Sequence, residues 1–167
     1  MAIRLKHRSP TGETRPWTLR ELIQGRPIDR PTHPMLVHFP IAFYLGALGL
    51  DILSRLGRFP GAPVAATWLI LAALVAVVGA AITGLADRAS APAGGKVRRM
   101  ATRHAVIQVV AAAFFAVNLA VRWSDRHAVE SDVWWIVLGA LGSLAMSVGA
   151  DIGGRMVYKV GWRPPSD

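Results

Sequence analysis

Four ionisable side chains mark the ends of four apolar segments. His38 opens the first segment, Asp87 closes the second, His104 opens the third and Asp151 closes the fourth. If the four segments thread antiparallel, these residues all lie at the same end of the assembly. Ionisable groups at membrane depth are costly and usually face a protein interior or a water-filled cavity. The sequence therefore predicts a His/Asp cluster at one end of the apolar region.

Two of these side chains are suited to hold haem b. His38 and His104 come from different segments at similar depth, as two imidazoles on opposite sides of a haem plane must. Arg103, beside His104, is the candidate partner for a haem propionate. This hypothesis predicts a redox or electron-transfer component, associated with a membrane redox partner or forming a homo-oligomer.

A divalent metal ion is the second candidate occupant of the cluster. Imidazole and carboxylate together are a ligand set for Zn, Mn or non-haem Fe. The donors are dispersed, without a compact motif such as H-E-x-x-H, and the chain is not expected to be an enzyme. A metal-dependent membrane enzyme is kept as an alternative. The candidate metal ligands are His33, His38, Asp87, His104 and Asp151.

A third hypothesis gives the cluster no cofactor. Two His–Asp pairs would then hydrogen-bond across the bundle and fix the packing of the helices. The protein would act as a scaffold or a structural subunit of a membrane complex.

The elements that must position these residues are transmembrane helices. The apolar stretches are 17 to 23 residues long, enough to cross roughly 30 Å of hydrocarbon at 1.5 Å per residue. The chain is 53% apolar with a mean hydropathy of +0.38, and its apolar stretches lack the alternation of barrel strands. We expect an all-α polytopic membrane protein, an antiparallel bundle of four transmembrane helices. The predicted spans are about 35–55, 64–86, 103–122 and 133–152.

An N-terminal arm (1–32) and a C-terminal tail (155–167) flank the predicted transmembrane domain (33–154). In the arm, Thr18 and Glu21 fit a capping box, which predicts a short amphipathic helix. In the first span, Pro40 lacks the amide that would bond to the Leu36 carbonyl, which predicts a bend beside His38.

The basic residues are distributed unequally between the two ends. Residues 1–33, 88–103 and 155–167 carry fifteen of the nineteen Lys and Arg residues. This asymmetry predicts a multi-pass inner-membrane protein with both termini in the cytoplasm and the lipid bilayer as its surroundings. Nucleic acid is not an expected partner, because no binding motif accompanies the charge. The arm shows no cleavable signal peptide, and the lack of cysteine excludes thiolate sites.

Helical spacing predicts which faces point inward. Small and polar residues recur on one face of each of the four spans, where they allow close approach and hydrogen bonding between helices. On the second span this face is Ala76, Ala80, Thr83 and Asp87. Asp51 lies off this pattern and is expected to form a structural ion pair with Arg55 or Arg122. The predicted faces are His38, Ala42, Gly46 and Gly49 on the first span, His104, Gln108, Ala111, Phe115, Asn118 and Arg122 on the third, and Gly139, Ser143, Ser147 and Asp151 on the fourth.

Several separated motifs resemble one bacterial membrane family. The string His-Pro-Met-Leu-Val-His-Phe-Pro-Ile-Ala at 33–42 is similar to the opening signature of domain of unknown function 2231. Gly-Leu-Ala-Asp at 84–87, Arg-His-Ala at 103–105 and the ending at 153–161 agree with it, with Met156 in place of Leu. The resemblance covers about residues 33–161 and implies a four-helix membrane fold without a defined activity.

Overall fold

Helices make up most of the described chain. A computed structural model describes residues 7–8, 14–57 and 59–162. A two-residue strand pair, β1 (His7–Arg8) with β2 (Thr14–Arg15), precedes the helices. A short 3-10 turn, Arg26–Ile28, follows the first helix. The α-helices are α1 (Leu19–Ile23), α2 (Thr32–Leu36), α3 (His38–Arg55), α4 (Ala62–Ser90), α5 (Lys96–Arg122) and α6 (Val133–Tyr158).

Four helical segments have the length and composition to cross a membrane. They are Thr32–Arg55, which joins α2 to α3, together with α4, α5 and α6. At most 33% of the residues in the most apolar part of any span are buried. Apolar side chains such as Val75, Val109 and Leu144 point outward and are 64–69% exposed. Hydrocarbon rather than water suits such a surface. The predicted all-α polytopic bundle is confirmed.

The α5–α6 pair forms the most extensive helix interface among the described residues. The inward face predicted for α5 is confirmed, since its four residues after Gln108 are buried and His104 and Gln108 are half-buried. On α6, steps of three and four residues alternate, which keeps the buried side chains on one face. These α6 residues are Trp135, Gly139, Gly142, Met146, Gly149 and Met156.

The inward face predicted for the fourth span is wrong beyond its first half. A strict four-residue step drifts by about 40° per step around a helix that turns 100° per residue. Three such steps therefore carry Asp151 about 120° away from Gly139. Gly139 and Ser143 are buried, whereas Ser147 and Asp151 are exposed.

The inward face predicted for the first span is also wrong. His38 and Ala42 are exposed, and the buried residues of α3 include Tyr44 and Asp51. The ring of Tyr44 stacks on that of Phe115, with 3.7 Å between their centroids. This aromatic contact and the ion pair of Asp51 orient α3 so that His38 and Ala42 face outward, while Gly46 and Gly49 are half-buried.

The first span is broken at Val37, between α2 and α3. Pro40 cannot donate a backbone hydrogen bond to Leu36, and the helix restarts at His38. The helix interruption predicted from Pro40 is therefore present, and it lies beside His38 as expected.

The N-terminal arm folds onto the end of α4. Both hydrogen bonds of the predicted capping box are present, from Glu21 N to Thr18 Oγ1 and from Thr18 N to Glu21 Oε2. Arg15 binds both carboxylate oxygens of Glu21 at 2.7 and 2.9 Å and holds the pKa of that carboxyl well below its usual range. Gln24 Nε2 then donates to Ala86 O and Ser90 Oγ, at 3.0 and 2.8 Å.

Candidate functional site

Two histidines from different spans face each other near the end of the bundle that carries the arm and the α4–α5 connection, which we call the basic end. His33 lies on α2 and packs against α4, and His104 lies on α5 and packs against α6. Their ring centroids are 6.2 Å apart and their planes are nearly perpendicular, at 87°. Both side chains are half-buried. We call these two residues the imidazole pair.

Each ring of the imidazole pair is oriented by a backbone carbonyl of the helix beneath it. His33 Nδ1 lies 2.9 Å from Ala80 O, and His104 Nδ1 lies 2.7 Å from Gly149 O. A carbonyl oxygen can only accept, so each Nδ1 carries the hydrogen. In the neutral rings the Nε2 atoms therefore keep their lone pairs. Metal-ligating histidines commonly have this arrangement, with one nitrogen held by a carbonyl and the other free to ligate.

Glycines make room for both rings. A Cβ atom at Gly84 would lie 2.8 Å from His33 Cε1, closer than such atoms can approach. At Gly153 a Cβ would lie 3.3 Å from Cε1 and Nδ1 of His104, a tight contact. Small residues in α4 and α6 thus allow both imidazoles to lie against the neighbouring backbone. All four spans contribute to this site.

His38 does not lie with the imidazole pair. It is exposed, and its Nδ1 is 3.4 Å from the carbonyl of Met35 in the preceding turn. Five residues separate it from His33, a rotation of about 140° on a continuous helix, and the break at Val37 intervenes. Only one of the two histidines can then face inward. The structure puts His33 in the place where the sequence analysis put His38.

Asp151 also lies away from the pair. Its carboxylate is 2.7 Å from Arg155 Nη2, one turn further along α6, and both side chains are 55% exposed. The drift of the four-residue spacing described above accounts for this outward position. The predicted convergence of two imidazoles and two carboxylates is therefore replaced by one close pair of imidazoles.

Asp87 is buried at the basic end, beneath the arm. Its neighbours include Gln24 and Arg26 of the arm. Gln24 also donates to the carbonyl of Ala86, the residue before Asp87. Its Oδ1 atom has no hydrogen-bond partner in the described part of the chain. Across residues 7–8, 14–57 and 59–162, no three His, Asp or Glu side chains form a group that could hold a metal ion.

Arg103, the candidate propionate partner, is exposed on α5. It lines a surface groove that also includes Arg99, Val106 and Ile152. The groove lies along the outside of α5 and α6, whereas His104, the next residue, points into the interface between these helices.

A second polar cluster lies at the opposite end and is closed. Asp51 and Arg122 are fully buried and form a two-point ion pair, with N···O distances of 2.5 and 3.0 Å. Ser131 Oγ donates to Asp51 Oδ1 at 2.6 Å, and the Arg122 guanidinium lies 4.6 Å from the centre of the Trp135 ring. Arg122 was one of the two partners predicted for Asp51. The other, Arg55, pairs with Glu130.

The comparison with protein families agrees with this architecture. Residues 29–163 match the family described as predicted membrane protein (DUF2231). The chain belongs to the DUF2231 family. The match begins before the imidazole pair and ends after α6, so the DUF2231 region includes all four spans and both polar clusters. No curated protein and no solved structure matches the chain.

Sequence reasoning undervalued three residues of this site. His33 was kept only as an additional metal ligand, although it lies in the same DUF2231 signature string as His38. Gly84 and Gly153 were noted only as parts of motifs. Both glycines lie close in sequence to predicted site residues: Gly84 precedes Asp87 by three residues, and Gly153 follows Asp151 by two.

Proposed function

We propose that this protein is a membrane haem b protein whose iron is held by His33 and His104. The observation that carries the proposal is the imidazole pair, with both Nδ1 atoms bonded to carbonyls and both Nε2 atoms left as donors to a metal. The two imidazoles come from different spans, and their ring centroids are 6.2 Å apart.

The number of donors favours haem over a bare metal ion. Protein sites for a single Zn ion supply three or four side-chain ligands. The imidazole pair offers two, and the described residues hold no larger group of His, Asp or Glu. Two imidazoles are a complete protein ligand set for a haem iron, whose other four ligands belong to the porphyrin. A divalent ion at this site would depend on ligands from water or a partner.

A bound haem would supply reversible one-electron chemistry, which suits an electron-transfer component. The chain itself would orient both imidazoles through Ala80 O and Gly149 O and exclude water with apolar side chains of the spans. A membrane redox partner or a second copy of the chain would exchange electrons with it.

We further propose that the basic end faces the cytoplasm of a bacterial cell, with the protein in the inner membrane. Fifteen of the nineteen Lys and Arg residues lie in residues 1–33, 88–103 and 155–167, which are the arm, the adjoining ends of α4 and α5, and the C-terminal segment. Positive charge in short loops favours retention on the cytoplasmic side. The imidazole pair would then lie close to the cytoplasmic surface.

An absorption spectrum of the detergent-purified protein tests the haem proposal. We expect a Soret band that shifts on reduction with dithionite, and its loss in His33→Ala and in His104→Ala. His38→Ala and His127→Ala are the matched controls, because both residues are exposed, and their spectra should equal that of the unaltered protein. Loss of the band in His38→Ala, with His33→Ala unchanged, would contradict the ligand assignment.

A glycine pair in α4 adds a test that leaves both imidazoles in place. Gly84→Ala forces His33 to move, whereas a Cβ at Gly79 would meet only Leu36 Cδ1 at an ordinary 3.9 Å. We therefore expect Gly84→Ala to lower haem content or shift the Soret band, and Gly79→Ala to leave both unchanged.

A structural scaffold is the second candidate function. The hydrogen bonds of His33 and His104 tie α2 to α4 and α5 to α6, so both rings hold helices together without a cofactor. A colourless protein, with His33→Ala and His104→Ala lowering only its stability, would favour this function.

A further inference from the structure

A groove on the outside of α5 and α6 combines an apolar floor with a cationic rim. Its volume is about 460 Å³. Val106, Ile107 and Ile152 supply apolar side chains, and Arg99 and Arg103 supply two guanidinium groups. Thr102 is the remaining lining residue, and no acidic side chain lines the groove.

The two arginines lie one helical turn apart and are both exposed. Arg99 donates to the carbonyl of Gly94. Within the described ranges, Arg103 makes no ion pair. The acid nearest in sequence to the groove is Asp151, which is paired with Arg155. The positive charge of the rim is therefore not neutralised by the groove itself.

The position of the groove matches the layers of a membrane. Arg99 and Arg103 lie in the polar first turns of α5, and its apolar stretch begins at Ala105. Guanidinium groups at such a helix end lie at headgroup depth, and Val106 and Ile107 lie at the depth of the first acyl carbons. An amphiphile with an anionic head fits both levels at once.

We propose that this groove binds an anionic phospholipid of the surrounding leaflet. The phosphate would accept hydrogen bonds from Arg99 and Arg103, and one acyl chain would lie against Val106, Ile107 and Ile152. Charge-assisted bonds from guanidinium to phosphate are among the stronger hydrogen bonds, and basic pockets between membrane helices are typical sites for anionic headgroups. The site is independent of the proposed haem, because His104 points away from the groove.

Native mass spectrometry of the detergent-purified protein, titrated with phosphatidylglycerol or phosphatidylcholine, tests the site. We expect preferential binding of phosphatidylglycerol. Each arginine changed to glutamine should lower the affinity for phosphatidylglycerol about fivefold, as expected for a basic side chain near an anionic headgroup, and the double variant Arg99→Gln/Arg103→Gln should lower it further. The control is Lys96→Gln/Lys159→Gln, which removes the same charge at the same end from exposed residues outside the groove.

Two further variants keep the test decisive. Arg99→Lys/Arg103→Lys should retain most of the preference, which guards against a folding defect in the glutamine double variant. Ile152→Ala should weaken the binding of phosphatidylglycerol and leave the affinity for inorganic phosphate unchanged, because a free anion does not contact the apolar floor of the groove.

Three results would overturn the proposal. Equal losses in the arginine and lysine double variants would show only a general charge effect. Full displacement of lipid by inorganic phosphate would show a simple anion site. A loss of haem in Arg103→Gln with unchanged lipid binding would assign Arg103 to a propionate.

Discussion

Asp51 and Arg122 show how a membrane bundle can enclose a charge pair. Both side chains are 0% exposed, and each carboxylate oxygen receives at least one hydrogen bond from the guanidinium. Ser131, in the loop between α5 and α6, donates a further hydrogen bond from Oγ to the carboxylate of Asp51. Its backbone N–H donates to Ser54 Oγ at 2.9 Å, which links this loop to α3. A buried pair tolerates the loss of one partner poorly, because the remaining charge has no solvent to replace it.

We therefore predict that Asp51→Asn lowers the free energy of unfolding by about 3–5 kcal/mol. The matched control is Asp151→Asn, which removes an exposed carboxylate paired with Arg155 and should change stability by less than about 1 kcal/mol. Reversible unfolding in mixed detergent and SDS micelles measures both. Equal effects of the two substitutions would mean that the Asp51–Arg122 pair does not hold the bundle.

The α5–α6 interface depends on side chains of α5 that lie over glycines of α6. Phe115 covers Gly142, Gln108 covers Gly149, and His104 lies over Gly153. The side chains and the glycines each recur at steps of four and seven residues, so their contacts repeat along the helices. Close approach of two backbones through small residues is a common way for membrane helices to associate.

We predict that Gly142→Ala is more destabilising than Gly149→Ala. A Cβ at Gly142 would lie 2.7 Å from the ring of Phe115, which is fully buried and stacked on the ring of Tyr44. A Cβ at Gly149 would lie 2.9 Å from Gln108 Nε2, the end of a flexible side chain. The free energy of unfolding in mixed micelles gives the order.

Gly49→Ala is the control for this series. A Cβ there would meet nothing within 4 Å, and alanine has the better helix propensity. It should leave stability unchanged or raise it slightly. If Gly142→Ala behaves in the same way, the packing described for α5 and α6 is wrong.

The elements followed from the sequence because hydropathy, length and spacing determine them locally. The stripe from His104 to Arg122 was predictable because it alternates three- and four-residue steps over five turns. The faces of α3 and α6 were not, since a run of small residues every four positions resembles a seam but drifts around the helix. The faces of these helices depend on contacts with other helices, such as the stacking of Tyr44 on Phe115, which the local sequence pattern does not contain.

At the scale of the whole molecule, the four-span architecture and an ion pair of Asp51 with Arg55 or Arg122 could be anticipated from the sequence, and the structure selects Arg122. The composition of the candidate site could be anticipated only in part. His33 and His38 lie in one string, about 140° apart around a continuous helix, so only one of them can face the interior. The choice depends on the contact of His33 with Gly84, between residues 51 positions apart.

The facing of His33 and His104 is the central claim, and the lack of cysteine in the chain permits a direct test. Cysteines placed at both positions should be joined by a short thiol-specific cross-linker in native membranes, as detected by mass spectrometry of the linked peptides. The control, His38→Cys/His104→Cys, should remain largely unlinked, because His38 points outward. Efficient linking of the His38 variant, with none in His33→Cys/His104→Cys, would contradict the account.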